Sequence, residues 1–123
     1  MRRILLVDDD EQFRRMLRKT LMKMGFEVIE ARNGKEALEI YYKDPVDLVM
    51  TDIIMPEKEG LETIGALKGK HPGVRIVAMS GGGRGSSTDY LKLASMMGAD
   101  RTILKPFSNE ILEGILAGLF GKS

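Results

Sequence analysis

Short apolar runs alternate along the chain with longer stretches in which apolar residues recur at helical spacing. The runs are Ile4-Leu5-Leu6-Val7, Phe26-Glu27-Val28-Ile29, Asp47-Leu48-Val49-Met50, Val74 to Met79, and Thr102-Ile103-Leu104. Several are apolar without a break, as a strand covered on both faces requires. Phe13, Leu17 and Leu21 share one helical face, as do Ala37 with Ile40 and Tyr41, and Leu61 with Ile64 and Leu67. Tyr90, Ala94 and Met97 give a fourth such stripe, and Ile111, Ile115 and Leu119 a fifth. The punctuation agrees: Gly25 follows the first helix, Asn33 caps the second and Pro45 closes it, Gly98 follows the fourth, and Ser108 caps the fifth. Strands strictly alternating with helices, on short connections, imply right-handed crossovers. The expected fold is α/β, a (βα)5 flavodoxin-like doubly wound sheet of five parallel strands with helices on both faces.

No repeat, low-complexity tract or linker divides the chain, so residues 1–123 read as one domain without an output domain. Composition narrows the chemistry. The absence of cysteine excludes disulfides, thiol nucleophiles and thiolate metal sites. Met1-Arg2-Arg3 precedes only four apolar residues, too few for a signal segment or a membrane span, and a cytoplasmic location is expected. A net charge of +1 gives no global attraction to nucleic acid or membrane, so neither is expected as a partner. Gly121-Lys122-Ser123 resembles the end of a phosphate loop, but that motif needs glycine where Leu116 stands and a helix after the serine. Among nine methionines, Met16, Met24, Met50, Met79 and Met97 fall at positions expected in the core, whereas Met96 and Leu91 lie off the main stripe of the fourth helix and suggest a partner face.

In an open α/β sheet, ligands bind beyond the carboxyl ends of the strands. The first strand ends in Asp8-Asp9-Asp10, the third in Asp52, the fourth in Ser80 and the fifth in Lys105-Pro106. Singly, each has a mundane reading: an acidic helix start, a turn residue, a loop hydroxyl, a solvated ammonium. Jointly they do not. Carboxylates from two strand ends stay ionised side by side only with a cation between them. With no cysteine and His71 isolated in an expected loop, the ligands are hard oxygens, which suit Mg²⁺ or Mn²⁺ and disfavour Zn²⁺. A carboxylate beside such an ion and the Lys105 ammonium is placed to attack phosphorus, with Ser80 able to bond the transferred group.

These residues resemble the receiver domains of two-component response regulators, in particular the single-domain, chemotaxis-type members. The resemblance spans nearly the whole chain. It is carried by Leu5-Leu6-Val7-Asp8-Asp9, by Asp52 followed by Met55-Pro56 and Gly60, by Ala78-Met79-Ser80-Gly81, and by Lys105-Pro106-Phe107. It implies a phosphorylation-controlled switch rather than a conventional enzyme, one that assists its own phosphorylation and dephosphorylation. Asp52 would accept the phosphoryl group from a sensor histidine kinase. Asp9, Asp52 and the Ile54 carbonyl would ligate Mg²⁺, and Asp8 would act through a metal-bound water. Lys105 would pair with the phosphoryl oxygens beside a cis bond to Pro106, and Ser80 would swing inward, remodelling the surface of the fourth helix, fifth strand and fifth helix. The output would be docking on an unnamed target or relay to a histidine phosphotransfer protein, from a monomer or a weak phosphorylation-dependent dimer.

Two departures bear on the switch. Thr102 stands where many receivers carry an aromatic residue that couples to the hydroxyl, and Gly81 to Ser87 is unusually rich in glycine. The loop is therefore expected to order on phosphorylation and carry most of the signal. Two alternatives remain at this level. One is a phosphohydrolase of the haloacid dehalogenase type, built on Asp8-x-Asp10, although Gln12 stands where that family wants Thr or Val. The other is a degenerate receiver serving as an adaptor, which the presence of every acidic, hydroxyl and lysine position opposes.

Overall fold

The structure, a computed structural model, describes residues 1–53, 59–81 and 87–121. Five strands, β1 (Arg3–Val7), β2 (Glu27–Ala31), β3 (Leu48–Asp52), β4 (Ile76–Gly81) and β5 (Arg101–Lys105), alternate with α1 (Glu11–Lys23), α2 (Gly34–Lys43), α3 (Glu59–Lys70), α4 (Ser87–Met96) and α5 (Asn109–Phe120). All pair in parallel, in the order β2-β1-β3-β4-β5. The expected (βα)5 sheet is therefore present. The three inner strands are buried almost throughout, which is why their sequences are apolar without alternation.

Pleating sends alternate residues to opposite faces. Leu5, Val7, Val49, Ile76 and Ala78 face one core, completed from α2, α3 and α4 by residues such as Tyr41, Ile64, Leu67 and Ala94. Ile4, Leu6, Leu48, Met50, Val77, Met79 and Ile103 face the other, closed by Leu17 and Leu21 of α1 and by Leu112 and Leu116 of α5. Asn33 caps α2 by accepting from the Glu36 amide at 2.8 Å, and Ser108 caps α5 by accepting from the Ile111 amide at 3.1 Å. Gly25 and Gly98 end α1 and α4 at φ of +96° and +116°, a region open to glycine. At the base of the sheet the Arg3 guanidinium, 2.7 Å from Asp44, holds that carboxyl below the usual carboxylate range. No helix among the described residues is long and apolar enough to cross a membrane.

Some expected faces were wrong. On α5 the fully buried positions are Leu112 and Leu116; Ile111 is 54% exposed, and Ile115 and Leu119 only flank the core. Met16 and Met97, expected inside, are 58% and 39% exposed: on α1 it is the adjacent Leu17 that turns to the sheet, and Met97 lies in the turn just beyond α4. Met50 and Met79 are buried as expected, and Met96 lies exposed. Leu91, proposed for a partner face, packs partly buried against the core. The glycine-rich segment 82–86 and Ile54 to Pro56 lie outside the described residues.

Candidate functional site

Three strand ends converge at the carboxyl edge of the sheet. Asp8 continues the Ile4–Leu6 face of β1, Asp52 the Leu48–Met50 face of β3, and Lys105 the Ile103 face of β5. Parity alone thus turns all three toward the same side of the sheet. The Lys105 ammonium Nζ donates to Asp8 Oδ2 at 2.7 Å and to Asp52 Oδ2 at 3.3 Å. It also sits 4.0 Å from the centroid of Phe13, whose ring meets Phe107 edge-on at 6.1 Å. A cation over a ring face is held without a competing donor or acceptor, so Phe13 confines Lys105 while leaving its protons free. The Lys105-Pro106 peptide is cis.

The acidic run after β1 divides its work. Asp10 is the N-cap of α1, accepting from the Phe13 amide at 3.1 Å. Asp8 and Asp9 turn instead toward Asp52, and one carboxylate oxygen of each of the three lies within 4.8 Å of the others. The Asp8-x-Asp10 pair required by the phosphohydrolase alternative is therefore split, its second carboxylate engaged at the helix end. Asp8 and Asp52 are buried and Asp9 is exposed, which opens the cluster to solvent on one side. Three hard oxygen donors at this spacing fit a small divalent cation. The described residues include no thiol, and His71, after α3, meets Tyr41 edge-on and Tyr42 at a tilt, away from the site.

Ser80 does not join this cluster. It follows Ile76 and Ala78 on the opposite face of β4, is wholly buried, and its hydroxyl has no hydrogen-bond partner among the described residues. An unpaired buried hydroxyl costs about 1–3 kcal/mol. Ser80→Ala is accordingly expected to keep or raise the melting temperature of the unphosphorylated protein; a clear fall would show that the hydroxyl is bonded in solution. Thr102 pairs with Ala78 across β4 and β5 and is partly exposed. The Ile54 carbonyl, an expected metal ligand, lies outside the described residues.

The packing behind Asp52 was not anticipated. A Cβ added at Gly60 would lie 2.3 Å from the Asp52 carbonyl oxygen and 2.5 Å from the Ile53 Cα. The first turn of α3 rests directly on the backbone that presents Asp52, and only glycine permits that approach.

Comparison with known proteins decides the family: residues 4–117 match the response regulator receiver domain. The chain belongs to that family. The chemotaxis protein CheY of Bacillus subtilis (strain 168) is 40% identical over 115 residues, 92% of this chain and 93% of that protein. The transcriptional regulatory protein CpxR of Escherichia coli (strain K12) is 36% identical over 125 residues, all of this chain, which spans about half (51%) of CpxR. Among solved structures, the response regulator protein TrrA of Thermotoga maritima, in complex with Mg²⁺-BeF, superposes with a TM-score of 0.86 at 33% identity, covering 98% of this receiver and 100% of that chain. As a receiver domain the protein is a signalling module of two-component systems, with an acidic pocket typical of the family.

Proposed function

We propose that Asp52 is the phosphoacceptor of a Mg²⁺-dependent switch formed by one receiver domain. The observation that carries this reading is a buried carboxylate joined by one lysine to a second, within a cluster of three. Asp52 Oδ forms the new bond to phosphorus as the phosphorus–nitrogen bond of a kinase phosphohistidine breaks, and the electron pair leaves with the imidazole, which takes a proton. Asp8, Asp9 and Asp52 would hold Mg²⁺, in keeping with the Mg²⁺-BeF complex of the related TrrA. Bound there, the cation would neutralise the carboxylates and charge on the transferred group. Lys105, already confined against Phe13, supplies a second positive charge from the end of β5, and can move from Asp52 to a phosphoryl oxygen without leaving Asp8.

Ser80, buried on the other face of β4, would swing inward to bring its hydroxyl to the phosphoryl group, and Thr102 sits on the neighbouring strand without a ring to follow that movement. The kinase is a sensor histidine kinase in a cytoplasmic setting; the output is docking on a target or relay to a histidine phosphotransfer protein. Incubation with Mg²⁺ and a small acyl phosphate donor, followed by intact mass, tests the reading. One added phosphoryl per chain supports it; steady turnover of unrelated phosphate esters would replace it with the hydrolase.

Mg²⁺ is expected to stabilise the fold, by about 2.7 kcal/mol at a hundred times its dissociation constant. Asp9→Ala should remove that effect while raising the melting temperature in metal-free buffer, because one of three crowded negative charges is gone. A melting shift with Mg²⁺ that survives in Asp9→Ala would place the ion elsewhere.

A further inference from the structure

Arg14 is charged yet only 7% exposed, on the face of α1 that packs against the sheet beside Leu17 and Leu21. A guanidinium is stable there only when its donors are matched. Its Nε donates to Glu30 Oε1 of β2 at 2.8 Å, and its Nη1 donates to the backbone carbonyl of Asp8 at 2.8 Å. Arg18 approaches the other Glu30 oxygen at 3.6 Å, so α1 holds Glu30 from two sides. The Asp8 amide in turn donates to the Ala31 carbonyl at 3.2 Å. Both backbone groups of Asp8 are therefore tied, one by β2 and one by Arg14.

We propose that Arg14 is a positioning residue for the acidic pocket: anchored on Glu30, it locks the Asp8 backbone so that the Asp8 carboxylate is held between Lys105 and the other two acids. Only two rotatable bonds separate that carboxylate from the locked backbone. Its oxygens are already committed, Oδ2 to Lys105 at 2.7 Å and Oδ1 to the Asp10 amide at 2.9 Å, so a shift of the Asp8 carbonyl moves the metal donor and the lysine together. The role rests on the phosphotransfer reading above and adds the residue that sets its geometry. Outer-shell partners of this kind change metal affinity by about 10–100-fold when lost.

The competing account is a buried ion pair that contributes to stability alone, and the double variant Arg14→Met with Glu30→Leu separates the two. It removes one positive and one negative charge, so the local net charge facing Mg²⁺ is unchanged; Arg14→Met alone would favour the cation simply by deleting a repelling charge. Replacing a buried pair by apolar groups is often neutral or stabilising, so this variant is expected to fold. Mg²⁺ binding is measured by calorimetry on parent and variant, and amide exchange at Asp8 is measured in metal-free buffer. The expected result is a melting temperature near the parent's, Mg²⁺ affinity lower by about 10–100-fold, and faster exchange at Asp8. Arg14→Lys, which keeps the charge but cannot span Glu30 and Asp8 with one ammonium, provides a second test if the double variant does not fold, and should weaken Mg²⁺ in the same direction. Affinity within twofold of the parent with unchanged Asp8 exchange overturns the positioning role alone. A parent that neither binds Mg²⁺ nor gains a phosphoryl group overturns the phosphotransfer reading and this role with it.

Discussion

Asp52→Asn is expected to abolish phosphorylation completely while leaving the protein folded. The amide is nearly isosteric with the carboxylate but does not attack phosphorus. Asp8 shares Lys105 with Asp52, yet its two oxygens are engaged by Lys105 and the Asp10 amide, and Asp9 stands on the exposed side of the cluster. Neither should take over. Stability should hold or rise in metal-free buffer, because one of three clustered negative charges disappears and Lys105 keeps its shorter bond to Asp8. Intact mass after incubation with an acyl phosphate donor reads the first effect, and thermal unfolding reads the second. A normal yield of hydroxylamine-sensitive acyl phosphate in Asp52→Asn would refute the assignment.

Gly60→Ala is expected to be the most destabilising single-methyl addition in the described chain. The new Cβ would stand 2.3 Å from the Asp52 carbonyl oxygen and 2.5 Å from the Ile53 Cα, both backbone atoms that cannot rotate away. Helix α3 must lift off the end of β3, or the strand end must move and carry Asp52 with it. Overpacking costs about 1–3 kcal/mol or more, and this clash belongs at the upper end. Alanine's better helix propensity returns at most about 1 kcal/mol, so the clash wins. The melting temperature should fall by roughly 10 °C, with phosphorylation impaired beyond what the lost stability explains. Gly69 provides the control, since it lies in the same helix with nothing within 4 Å of an added Cβ. Gly69→Ala should be neutral or stabilising by up to about 1 kcal/mol. Equal melting temperatures for the two variants would show that α3 is free to shift.

The alternation of apolar runs and helical stripes was enough to identify the fold, because inner strands of a parallel sheet are buried on both faces and their composition shows it locally. Part of the candidate site was legible as well. A residue at the end of a strand is carried to the sheet edge by the strand itself, and a period of two decides which side it faces, so Asp8, Asp52 and Lys105 could be found without knowing their distances. Helix faces were harder to read. Ile111-Ile115 and Leu112-Leu116 repeat at the same interval one residue apart, and periodicity is satisfied by either; the sheet surface beneath α5 selects Leu112 and Leu116. The same ambiguity misplaced Met16, whereas Met97 shares its stripe with the buried Ala94 but falls just past the end of α4. On α1 the buried series is Arg14, Leu17 and Leu21, led by a charged residue that hydropathy assigns to solvent.

The role of Arg14, and the backbone contact of the motif residue Gly60, went unread for one reason. The partner of each is a backbone group remote in sequence or across a turn: the Asp8 carbonyl with Glu30 for Arg14, and the Asp52 carbonyl for Gly60. A backbone carbonyl is the same at every position, so nothing in the chain marks which one a side chain will meet. Strand ends, caps and burial on both faces follow from short-range periodicity and local hydrogen bonding, and these the sequence determined by itself. Which of two adjacent helix faces turns inward, which buried charge is matched, and where two backbones touch depend on the shape of the packed neighbour, and these only the tertiary structure decided.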